Sequence, residues 1–143
     1  MSNLVWHDFF EIGVEFIDQD HKCLLDIMQD VQDAIIQRDY DGCAKHLSRL
    51  LFEATEHFHR EEVFLAEVKY PGLAEHMKYH AELLAQAGRV KKVCENTETR
   101  HDVQACFKGM ARFLIDDILK GDVKFKSHLE HEGLIQRTSL LKV

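Results

Sequence analysis

Five ionisable side chains stand where a helical chain would bring them together. His57 and Glu61 are four residues apart in the segment HFHREE, and His76 and His80 are four apart in HMKYH. Residues at that spacing share one face of an α-helix. His21 lies one turn before Leu24 and Leu25. Each of these groups continues an apolar seam: His57 and Glu61 extend the series Cys43, Leu47, Leu50 and Ala54, while His76 and His80 interleave with Leu73, Met77, Leu83 and Leu84. A carboxylate left unpaired in an apolar core is costly, and buried charges persist when paired or bound to metal. These inner faces carry no lysine or arginine to neutralise Glu61. A metal ion is the natural counter-charge. Mixed imidazole and carboxylate ligands suit iron, and also manganese or zinc.

The elements that must position these groups are helices. From Asp18, read as an N-cap, His21, Leu24, Leu25, Met28, Val31 and Ile35 recur at helical spacing until the segment QRDYDG (37–42). A second helix carries Cys43, Leu47, Leu50, Leu51, Ala54, Phe58 and Leu65. Tyr70-Pro71-Gly72 is a clear turn. A third helix carries Leu73, Met77, Leu83, Leu84, Ala87 and Val90 up to the polar stretch CENTETRHD (94–102), and a fourth runs from Val103 through Phe107, Met110, Phe113, Leu114 and Ile118 toward Gly121. Four amphipathic segments with short connections predict an all-α, antiparallel up-down four-helix bundle. The expected organisation is one domain over 1–143: an irregular, aromatic N-terminal arm (1–17, with Trp6, Phe9, Phe10 and Phe16), the bundle (18–121), and a tail (122–143) packing in part through Phe125 and Leu129.

Bulk properties narrow the function. The chain has 143 residues, 45% hydrophobic and 30% charged, with one proline and seven glycines, too few breakers for many β-turns. A net charge of −7 argues against nucleic acid and against an anionic membrane surface. No apolar run reaches the roughly 20 residues of a membrane span, and the N-terminus lacks the pattern of a secretory signal. A cytoplasmic location is expected. Cys23, Cys43, Cys94 and Cys106 form no CxxC pair and are expected to be reduced thiols.

The chain resembles the bacterial hemerythrins from residue 6 to about 125. The resemblance is carried by Trp6, Ile12-Gly13-Val14, Ile17-Asp18, His21-Lys22, His57-Phe58, Glu61-Glu62, Pro71, His76 and His80, and by Asp117-Ile118 to Asp122 followed by Phe125. It implies two non-heme iron ions bridged by Glu61, Asp122 and an oxo or hydroxo group. His21 and His57 would hold the iron at which dioxygen binds, and His76 and His80 the other. The family's fourth-helix motif is HIxxxD, whereas this chain reads DILKGD, with Asp117 at the histidine position. Phe113-Leu114 fix that register. Groups five apart cannot both face inward from a regular helix, so Gly121 is expected to end the helix and let Asp122 turn in.

Asp117 is therefore a seventh candidate ligand, binding iron directly or through water. The alternative is a solvated residue at a helix end, with His128 or His131 folding back as the replacement. A hard anionic oxygen there favours ferric iron and shifts the expected role from storage carrier toward oxygen or redox sensor. The other class of function is a diiron oxidase or peroxidase, although the paired ExxH motifs of the carboxylate-rich oxidases are absent; a metal-binding interaction module is the third. Dioxygen is the expected partner, and a signalling output domain or partner would lie outside this chain. Glu62, Asp116 and the remaining histidines (His7, His46, His59, His101) read as surface residues.

Overall fold

The computed structural model describes residues 11–116 and 123–135. Asp117, Ile118 and Asp122 lie outside the described residues, as do His7 and the arm carrying Trp6, Phe9 and Phe10. Among the described residues there are five α-helices and no strand: α1 (Glu15–Ile36), α2 (Tyr40–Glu67), α3 (Leu73–Glu95), α4 (Val103–Asp116) and α5 (Val123–His131), with a 3-10 turn over Arg100–Asp102. Helix α1 packs on α2, α2 on α3, α3 on α4, and α4 returns to α1. This ring of neighbours is the all-α bundle that the amphipathic pattern predicts. No described helix is long and apolar enough to cross a membrane.

The helix ends follow local chemistry, with one departure. Asp39 caps α2 by accepting from the Gly42 N–H at 3.0 Å, satisfying a donor that the first turn leaves without a helical partner. Asp18, expected as the N-cap of the first helix, sits instead inside the first turn of α1, which begins at Glu15 after Val14. Its carboxylate reaches back to accept from the Ile12 and Gly13 N–H groups at 2.8 and 3.1 Å. Asp18 thus ties down the chain entering the helix rather than the helix itself. Gly13 has φ +93°, a conformation in which glycine avoids a Cβ clash.

The core divides in two. The larger cluster fills the body of the bundle and includes Leu24, Met28, Leu47, Ala54, Phe58, Leu83, Met110 and Leu114. The smaller comprises Ile12, Ile17, Leu65, Phe125 and Leu129. The tail packs through Phe125 and Leu129, as expected, and it does so as helix α5. Met77 departs from the expected stripe and is 45% exposed. The buried residues of α3 are His76, His80, Leu83, Ala87, Val90 and Cys94, and Met77 sits roughly 100° around the helix from the centre of that stripe.

Candidate metal centre

Along each of three helices the sequence passes from one apolar cluster to the other through a polar residue. On α1 the order is Ile17, His21, Leu24; on α2 it is Phe58, Glu61, Leu65; on α3 it is Leu73, then His76 and His80, then Leu83. The helical repeat therefore sets one polar layer between two hydrocarbon layers. His21, His57, Glu61, His76 and His80 are all buried, with relative exposures of 1–4%.

Glu61 lies at the middle of this layer, and its two oxygens serve different histidines. Oε2 is 2.9 Å from His57 Nε2 and 3.5 Å from His21 Nε2. Oε1 is 2.5 Å from His76 Nε2 and 3.3 Å from His80 Nε2. Ligand atoms of His21, His57 and Glu61 all fall within 4.8 Å of one another, and those of Glu61, His76 and His80 do the same. Burial acts to raise the Glu61 pKa, but the four imidazoles around it, those of His21, His57, His76 and His80, outweigh it and hold the carboxyl well below the usual carboxylate range. An ionised carboxylate is thus maintained in a site that excludes water.

The donor set fits metal ions. His57 Nε2 and Glu61 Oε2 are both buried and lie 2.9 Å apart, yet neither has a hydrogen-bond partner of acceptable geometry. A cation held by both would satisfy them, and the ligand atom of His21 lies close enough to join it. Two three-residue clusters sharing one carboxylate can accommodate two such ions.

The outward nitrogens of two histidines are also held. His57 Nδ1 donates to Asp20 Oδ2 at 2.9 Å, and that same oxygen accepts from Arg60 Nη2 at 2.8 Å and Arg60 Nε at 3.2 Å. Burial acts to raise the Asp20 pKa, and the Arg60 and His57 contacts overcome it, leaving the carboxyl below its ordinary value. His80 Nδ1 donates to Glu62 Oε2 at 2.7 Å. With Nδ1–H committed to a carboxylate, the Nε2 lone pair is presented to the interior, the form in which imidazole binds a metal. Ring packing adds to this: Phe58 stacks on His80 with centroids 3.9 Å apart, and Phe125 places its ring 5.3 Å from His76, edge to face.

Asp20 and Glu62 are the residues at the candidate site that the sequence reading missed. Glu62 is no mere surface neighbour of Glu61, since its carboxylate reaches His80 on the adjacent helix. Asp20 lies next to His21, and its role depends on the register of α1 against α2, which periodicity within one helix does not reveal. The other described histidines stay away from the centre. His59, His101 and His131 are exposed and His46 is half-buried. His128 donates from Nε2 to the Val68 carbonyl at 3.1 Å, so neither alternative for the replacement ligand is drawn into the layer. Asp116 is exposed, as expected. All four cysteines are free thiols, with Cys43 and Cys94 buried and Cys23 and Cys106 half-buried.

Comparison with known proteins agrees with this geometry. The family model described as the hemerythrin HHE cation binding domain matches residues 12–132. A bacteriohemerythrin from Pseudomonas aeruginosa is 26% identical over 132 residues, spanning 92% of this chain and 84% of that protein. A myohemerythrin from Theromyzon tessulatum is 25% identical over 124 residues, spanning 87% of this chain and 92% of that protein. Hemerythrin subunit 2 of Golfingia vulgaris is 32% identical over 76 residues, 53% of this chain and 60% of the subunit. The family model spans the three helices that carry His21, His57, Glu61, His76 and His80, so the chain belongs to the hemerythrin HHE cation-binding family.

Proposed function

We propose that this protein is a non-heme diiron protein that binds dioxygen, with His21, His57, Glu61, His76, His80, Asp117 and Asp122 as its iron ligands. The observation that supports this most directly is the division of one buried carboxylate between two histidine pairs, Oε2 toward His21 and His57 and Oε1 toward His76 and His80. In this reading Glu61 and Asp122 would be the carboxylates that hold both ions. Asp117 takes the position where the bacterial hemerythrins carry a histidine.

Two ferrous ions in this layer would supply the two electrons that reduction of dioxygen to the peroxide level requires. The protein's own residues set the conditions. Glu61 offers a charge that is ionised before any ion arrives. Asp20 and Glu62 orient the imidazoles, and the two apolar clusters keep water from the layer. A small cavity of about 10 Å³ on the body side is lined by Leu24, Met28, Leu50, Ala54, Leu83, Leu84, Ala87, Met110 and Leu114. Its apolar lining of aliphatic carbon and two Met thioethers offers water no strong hydrogen-bond partner, and it suits a small apolar gas better.

Asp117 directs the reading toward an oxygen or redox sensor rather than a storage carrier, because an anionic oxygen ligand favours ferric iron. Four free thiols are consistent with a reducing compartment, and a cytoplasmic location belongs to the same proposal. The test is iron content of the purified chain, followed by its near-ultraviolet and visible spectrum before reduction, after reduction, and after readmission of air. Two irons per chain with a spectrum that cycles with dioxygen is the expected result. A chain that takes up no iron, or whose spectrum ignores dioxygen, overturns the proposal.

A further inference from the structure

The two outer carboxylates are not equivalent. Asp20 Oδ2 accepts from His57 Nδ1 and also from two nitrogens of Arg60, at 2.8 and 3.2 Å. Glu62 Oε2 accepts from His80 Nδ1 at 2.7 Å, and among the described residues no lysine or arginine is recorded against it. The side chains of Asp20 and Glu62 are similarly half-buried, 24% and 23% exposed, so solvent does not account for the difference. Arg60 does. A carboxylate whose charge is shared with a guanidinium withdraws the Nδ1 proton less than one left to the imidazole alone.

We infer that Asp20 and Glu62 are positioning residues that make the two halves of the centre electronically unequal, with Arg60 weakening the pull on His57, so that the iron held by His76 and His80 is the easier to oxidise. The physical chain is short. A carboxylate accepting from Nδ1–H raises the basicity of Nε2, a more basic ligand stabilises the ferric ion, and the stronger effect falls on the side of Glu62. This rests on the diiron reading above.

The experiment measures the two one-electron potentials of the iron-loaded full chain by spectroscopic titration, for wild type, Glu62→Gln and Arg60→Met. Glutamine keeps an acceptor for His80 but removes the charge. It is expected to raise the lower potential by an equilibrium factor of about ten, or about 59 mV for one electron. Arg60, half-exposed at the surface, is replaced without disturbing the core, and Arg60→Met is expected to lower the upper potential. Both changes narrow the gap. As a second readout, the diamagnetic zinc-loaded chain is studied by proton–nitrogen spectroscopy. There the His80 Nδ1–H proton should resonate downfield of that of His57, and Arg60→Met should move the His57 proton downfield. If Glu62→Gln does not retain iron, the zinc spectra decide. A wild type holding two irons whose gap is unchanged or widened in the variants overturns this inference alone. A wild type that takes up no iron overturns both it and the function on which it rests.

Discussion

Replacing Glu61 by glutamine tests the shared carboxylate most sharply, because one oxygen serves each side of the layer. Glutamine keeps the shape of the side chain, removes its charge, and turns one of the two acceptors into an NH₂ donor. Each three-residue cluster contains Glu61, so neither side retains its described donor set. Loss of an outer partner alone costs metal affinity about 10–100-fold, and loss of the shared carboxylate should exceed that on both sides. The expected iron content of Glu61→Gln is close to zero, whereas His57→Ala, which strips only one side, retains about one ion. The metal-free protein should feel the change too. Removing one partner from a buried charged network costs about 3–5 kcal/mol, read at neutral pH by urea denaturation. The sign with pH follows from the pKa. The folded-state value of Glu61 lies well below the ordinary 4.5, so its ionised form stabilises the fold above pH 4.5 and loses that contribution as pH falls through the folded value. The stability gap between wild type and Glu61→Gln should therefore be full at pH 7 and shrink in acid. Retention of both irons by Glu61→Gln, or a gap that widens in acid, refutes the reasoning.

Other consequences can be checked independently. Asp117→His restores the nitrogen donor of the bacterial hemerythrins and should slow spontaneous oxidation of the ferrous protein in air several-fold, measured from the decay of its absorption spectrum; an unchanged rate means that Asp117 does not tune the iron. Burial, then the neighbouring Cys94, pushes the Cys43 thiol up to about 12, leaving about 10⁻⁴ of it as thiolate at pH 8. A brief treatment of native protein with a thiol reagent should label Cys23 and Cys106 and spare Cys43 and Cys94, with peptide mapping as the readout. Asp18→Ala removes the acceptor for two backbone N–H groups at the entrance to α1 and should cost about 1–3 kcal/mol in denaturant unfolding, with iron content preserved.

The parts of this protein that periodicity controls were legible in the sequence. His57 with Glu61, and His76 with His80, fall on the buried stripes of their helices because residues four apart share a face, and Leu47, Leu50, Val90 and Met110 follow for the same reason. What escaped depends on register between helices. Asp20 meets His57 across 37 residues of chain and Glu62 meets His80 across 18. Each carboxylate sits beside a ligand in sequence, about 100° around its helix, and reads as solvent-facing until the neighbouring helix is placed. The start of α1 escaped for a different reason. Asp18 has the chemistry of an N-cap, but its carboxylate satisfies donors of the preceding segment, so the helix extends past it to Glu15.

Closure of the layer is the step that no single helix could reveal. On its body side the site rests on the main core, but on the other side α1, α2 and α3 supply just two fully buried residues, Ile17 and Leu65, with Phe16, Phe64 and Leu73 partly buried beside them. The nine residues of α5 complete that side with Phe125 and Leu129, both fully buried, and Ile12 closes it from the chain entering α1. A helix so short has little stability alone, which is why its sequence reads as a tail. It holds because it covers a layer of buried carboxylate and imidazole that water would otherwise reach. Packing of Phe125 against His76 then joins the two tasks, since the side chain that seals the layer also limits the motion of a candidate ligand within it. Truncation of Phe125 to alanine should accordingly lower stability by about 3–5 kcal/mol and also loosen iron on the His76 side, whereas a purely structural seal would show the first effect without the second.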